Sequence, residues 1–65
     1  MTYKNQFGKY EIKMGGLVYK WFKDLKNAEA HFERLAKAPD ELEDDITLVE
    51  IRTGKVLRVC KSEME

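Results

Sequence analysis

The segment Lys9-Tyr10-Glu11-Ile12-Lys13-Met14 alternates charged and apolar residues, the period of a strand with one buried and one wetted face. Gly15-Gly16 follows, and then Leu17-Val18-Tyr19-Lys20-Trp21-Phe22, rich in aromatic and β-branched residues. Two glycines between two such runs predict a tight hairpin, because primed turns need positive φ at their centre. A two-residue turn sets Met14 opposite Leu17, Ile12 opposite Tyr19 and Tyr10 opposite Trp21, gathering six apolar residues on one face. The other face then pairs Lys13 with Val18, Glu11 with Lys20 and Lys9 with Phe22. The Glu11–Lys20 match is a favourable cross-strand pair.

From Asp24 to Ala38 the period changes to that of a helix. Leu25, Ala28, Phe32, Leu35 and Ala36 form one apolar stripe, and Asp24 is a good N-cap. Glu33 and Lys37 make a well-oriented pair one turn apart. Pro39 ends the helix, since it cannot donate the next hydrogen bond. His31 borders the stripe and reads as a boundary residue packing its ring edge. Next comes the acidic connection Pro39-Asp40-Glu41-Leu42-Glu43-Asp44-Asp45, which lacks the ligand spacing of a calcium loop. It is expected to be a solvated crossover with Leu42 turned inward.

Ile46-Thr47-Leu48-Val49-Glu50-Ile51 and Lys55-Val56-Leu57-Arg58-Val59-Cys60 are two further strands around Arg52-Thr53-Gly54. A two-residue loop would put Arg58 on the face of Val49 and Ile51. A three-residue loop with Gly54 left-handed groups Val49 and Ile51 with Leu57 and Val59, leaving Leu48, Glu50 and Arg58 opposite. Burying Arg58 without a partner is costly, so the bulged loop is expected, with Val49, Ile51, Leu57 and Val59 facing the helix. Residues after Lys61 read as a frayed end. The fold class is therefore α+β, a single ββαββ domain over residues 1–65 whose helix packs on one face of a four-stranded antiparallel sheet. Its expected core is Tyr10, Ile12, Met14, Leu17, Tyr19, Trp21, Leu25, Ala28, Phe32, Leu35, Val49, Ile51, Leu57 and Val59.

Size and composition narrow the chemistry. A chain of 65 residues buries only about 60% of its unfolded surface, and domains this small often add a disulfide, a metal or self-association. Cys60 is the only cysteine and His31 the only histidine, so neither an internal disulfide nor a four-ligand zinc site can form within one chain. No cofactor is expected, and no nucleophile–base pair points to an enzyme. The absence of an apolar run predicts no signal peptide or membrane span, with cytoplasmic residence as the default that a lone thiol suits.

Function is sought on the sheet face away from the helix. Val18, Phe22, Ile46, Leu48, Val56 and Cys60 are expected there, interleaved with Lys9, Lys13, Lys20, Glu50 and Arg58. An apolar patch with a charged rim is how interaction surfaces are recognised, so a protein partner or a homodimer is expected there or at an open sheet edge. The plainer alternative is ordinary scattered exposure, with the N-terminal arm Tyr3–Phe7 over the strand ends. Two further surfaces are candidates. The acidic residues Asp40, Glu41, Glu43, Asp44 and Asp45 can imitate phosphates in a basic partner site. Alternatively, Lys9, Lys13, Lys20 and Lys23 with Phe22 as a stacking platform would suit single-stranded nucleic acid. Zero net charge and the acidic segment weigh against that alternative.

The aromatic hairpin, the helix opening Asp24-Leu25-x-x-Ala28 and the closing Thr53-Gly54-Lys55-Val56 hairpin resemble the very small ββαββ proteins encoded by phages and mobile elements. That resemblance is architectural and carries over no functional residue. It implies a protein that blocks or redirects a host protein, with the acidic segment as one candidate contact.

Overall fold

The computed structural model describes residues 8–64. The elements are β1 (Tyr10–Met14), β2 (Leu17–Phe22), α1 (Leu25–Ala36), one 3-10 turn (Pro39–Glu41), β3 (Ile46–Glu50) and β4 (Lys55–Cys60). One antiparallel sheet runs in the order β2-β1-β3-β4, with β1 and β3 at its centre and α1 packed on one face. This is the expected ββαββ architecture. The N-terminal arm, residues 3–7, lies outside the described residues.

Glycine makes both hairpins possible. Gly15 and Gly16 have φ of +62° and +86°, so both take the left-handed conformation a primed turn needs. Gly54, at φ +74°, donates its N–H to the Glu50 carbonyl at 2.8 Å, closing a loop of residues 51–54. Helix α1 starts after Asp24, whose backbone carbonyl accepts from Ala28. The Asp24 side chain makes no capping bond, contrary to the expectation from its residue type, and the helix ends at Ala36 rather than Ala38.

The core joins Ile12, Ile46 and Leu48 of the sheet to Ala28 and Phe32 of α1, with Leu42 closing one end. Tyr10, Met14, Phe22, Leu35, Ala36, Leu57 and Cys60 pack around it. Several expected assignments are thereby overturned. In β2 the register slips between Val18 and Lys20, so Tyr19 is an extra residue. Lys20 therefore lies opposite Ile12, Trp21 opposite Glu11, and Phe22 opposite Tyr10. The Glu11–Lys20 pair does not form, and Trp21 leaves the helix side.

In β4 the extra residue is Leu57, because Val56 faces Val49 while Arg58 faces Leu48. The grouping of Leu48 with Arg58, and of Val49 with Val59's face, is as expected. The side is inverted. Leu48 and Arg58 face the helix; Val49 and Val59 do not. Arg58 tolerates that position because it is not unpartnered. Its Nη1 donates to Glu33 Oε2 at 3.0 Å, and its guanidinium lies 5.2 Å from the centre of the Phe32 ring.

The segment after β4 is fastened rather than frayed. Ser62 N–H donates to Asp45 Oδ1 at 2.7 Å, Ser62 Oγ donates to the Leu42 carbonyl, and Glu63 N–H donates to the Pro39 carbonyl at 2.9 Å.

Candidate interaction surface

Side chains at directly opposed positions of a sheet share a face. Applied across all four strands, this gives two rows on the side away from α1. One row runs Trp21, Glu11, Val49, Val56, and the next runs Val18, Lys13, Thr47, Val59. Between them lies the row Lys20, Ile12, Leu48, Arg58, which points to the helix side. The outer strands carry the exposed part of the far face: Val18 is 39% exposed, Trp21 40%, Val56 51% and Val59 56%. Val49, beneath them on the central strand, is buried. Glu11 and Lys13 sit side by side on β1, with Lys13 Nζ 3.6 Å from Glu11 Oε2.

Of the expected contact residues, only Lys13, Val18 and Val56 belong to these rows. Ile46 and Leu48 are fully buried in the core, and Phe22 packs against it. Lys20 and Arg58 lie on the helix side, Lys20 with Nζ 5.6 Å from the Phe22 ring centre. Cys60 is on that side too, half-buried beside the core. Each displacement follows from the inverted parity of β3 or the extra residue in β2. Lys9 is an exposed residue just before β1, its N–H bonded to the Phe22 carbonyl and its carbonyl to Ile51 N–H. Sequence reasoning placed Trp21 and Val59 in the core; their signal is the spacing of three from Val18 and Val56, which shares a face only across an extra residue.

The acidic residues gather at one end of the sheet. Asp45 accepts the Gly15 N–H through its carbonyl at 3.0 Å, and the Asp44 carboxylate lies against the Gly15 backbone. Asp40, Glu41 and Glu43 are exposed nearby along the crossover, and Glu63 is bound back to Pro39. Among the described residues, Lys37 just after α1 and Lys61 just after β4 place bases near that end. At the other end, the bonds from Lys9 to Phe22 and Ile51 bring Lys9, Lys23, Lys26, Arg52 and Lys55 together, with Asp24 and Glu50 among them. The molecule has zero net charge but opposite poles along its strands.

On the helix side, His31 packs between aromatic rings, 5.8 Å from the Tyr19 centroid and 5.4 Å from that of Phe22. Its Nε2 is buried with no hydrogen-bond partner among the described residues. Burial holds its pKa below the ordinary 6.5, and the positive charges of Lys20 and Arg34 push in the same direction. A shallow groove near the end of α1 is lined by Met14, Tyr19, Leu35, Ala38 and Leu42 with Glu41 and Glu43. Among the described residues no group of three histidines, cysteines or carboxylates is placed to hold a metal ion, and no helix is long and apolar enough to cross a membrane. Comparison with protein-family models, with curated proteins and with solved structures found no match.

Proposed function

We propose that this chain is a small protein-interaction module that works by contact through the sheet face opposite the helix. The observation that carries the reading is the pair of far-face rows, in which Val18, Trp21, Val56 and Val59 stay exposed around Glu11 and Lys13. A fully solvated antiparallel face is mainly polar, whereas contact surfaces combine an apolar centre with charged groups. The reading includes self-association, a further way for so short a chain to bury apolar area. It also includes the role implied by the architectural resemblance, an inhibitor or modulator of a host protein in the cytoplasm.

Affinity capture with the wild-type chain and with a Val56→Lys/Val59→Lys variant tests the contact surface. Proteins retained by the first and lost by the second support it; identical retained sets count against it. Single-stranded nucleic acid is not favoured, because Lys13 and Lys20 lie on opposite faces and cannot line one backbone track.

A further inference from the structure

The far face has an internal symmetry that selects one occupant. Its two rows read Trp21-Glu11-Val49-Val56 and Val18-Lys13-Thr47-Val59, so each has apolar residues at the outer strands and a charge on β1. The charges are opposite. Consider a second copy laid face to face, turned about a two-fold axis that crosses the strands between the rows. Row one then covers row two of the partner copy. Glu11 meets Lys13, Trp21 meets Val18, Val49 meets Thr47 and Val56 meets Val59, each twice by symmetry. A two-fold axis along the strands would instead set Glu11 over Val49 and Lys13 over Thr47, leaving each charge its own intrachain neighbour but nothing of opposite sign across the contact.

The poles make the same choice. Turning the second copy about the cross-strand axis brings its acidic end, with Asp40, Glu41, Glu43, Asp44 and Asp45, over the basic end of the first, with Lys9, Lys23, Arg52 and Lys55. The other axis would stack like charges. Magnitude gives the poles weight. Four strands about 4.8 Å apart and roughly six residues long make a face on the order of 400 Å². Specific interfaces average about 800 Å² per partner, so the face alone is small and the charged ends must extend it.

We propose that a second copy of this chain docks on the far face in this antiparallel, two-fold arrangement, with Glu11 of each copy on Lys13 of the other. The proposal rests on the far face being the contact surface and deepens that reading by fixing the partner and the axis. It is tested by sedimentation equilibrium of the whole chain from roughly 10 µM to 1 mM, a range that brackets a weak dimer. The mass should approach twice that of one chain, and raising salt from about 0.05 to 0.5 M should weaken the association at least tenfold. Glu11→Lys and Lys13→Glu should each be monomeric over the same range, and an equimolar mixture of the two should recover the double mass.

Circular dichroism checks that the variants fold. Val56→Lys and Val59→Glu, on exposed positions that cost the monomer little, provide a second complementing pair. A wild-type mass of one chain throughout overturns the dimer. If capture still separates wild type from the Val56/Val59 variant in that case, the contact surface survives and the second copy does not. Folded variants that remain dimeric alone, or mixtures that stay monomeric, overturn the axis.

Discussion

Arg58 of β4 donates from Nη1 to Glu33 Oε2 on α1 at 3.0 Å while its guanidinium covers the Phe32 ring. One side chain thus joins the last strand to the helix and roofs the largest core residue. Both partners of the ion pair are substantially exposed, so the pair itself contributes little. Replacing Glu33→Gln should cost about 0.5 kcal/mol or less. Arg58→Ala should cost about 1 to 1.5 kcal/mol, because the cation–π contact and alkyl packing go as well. Urea melts of the two variants and their double mutant measure the coupling; equal losses for both would show that the ring contact is inert.

The parity of β3 yields a sharper contrast. Leu48 is fully buried against Ile12 and α1, whereas Val59, next to its cross-strand neighbour Arg58, faces away and is half exposed. Leu48→Ala should destabilise by about 3 kcal/mol, a cavity-sized loss that unfolds much of a domain this small. Val59→Ala should cost less than about 1 kcal/mol. Thermal denaturation by circular dichroism separates them, and similar losses would mean the sheet is turned over.

Acid should weaken the fold through His31. Its pKa in the folded chain is lowered from 6.5 by burial and then by Lys20 and Arg34, so the unfolded chain binds the proton first. The contribution of the neutral ring is complete above the unfolded value of 6.5. It is lost as pH falls from there through the lower folded value, and changes no further below that. The wild-type melting temperature should therefore drop between about pH 7 and 5 more than that of His31→Phe, which keeps a ring between Tyr19 and Phe22. Parallel pH profiles for the two chains would contradict this.

Two glycines with positive φ should respond differently to alanine. A Cβ at Gly8 would lie 2.5 Å from the Phe22 carbonyl oxygen, which also accepts the Lys9 N–H, and φ there is +133°. Gly54 has φ +74° with open space around it. Gly8→Ala should cost roughly 3 kcal/mol, from strain and a displaced hydrogen bond, against about 1 kcal/mol for Gly54→Ala. Denaturant midpoints at unchanged slope give the comparison directly.

The elements were legible because their signals are local. Gly15-Gly16, the helical stripe from Ala28 to Ala36 and Pro39 each act on their immediate neighbours and lie where the sequence puts them. Leu25, by contrast, is exposed, and Gly54 closes a loop of four residues rather than the expected three, the extra residue falling at Leu57 instead. Which face meets the helix was not legible. The run from Ile46 to Ile51 is apolar at both parities, so periodicity alone leaves its side open. The choice fell to Arg58, whose partner Glu33 belongs to another element 25 residues away. In β2, both Lys20 and its neighbours suit an outer strand, so nothing local marks Tyr19 as extra. An exposed apolar surface opposite the helix is legible in kind, but Phe22, Ile46, Leu48 and Cys60 belong to the opposite parity and pack in or against the core.

The extra residues Tyr19 and Leu57 both fall in the strands that border the sheet. An incoming strand aligned on either border would lose its hydrogen-bond rhythm halfway along. Lateral growth into ribbons, the usual hazard of an unsealed sheet, is thereby interrupted on both sides. The kinks that obscure the alternation along the sequence thus also guard the borders of the sheet.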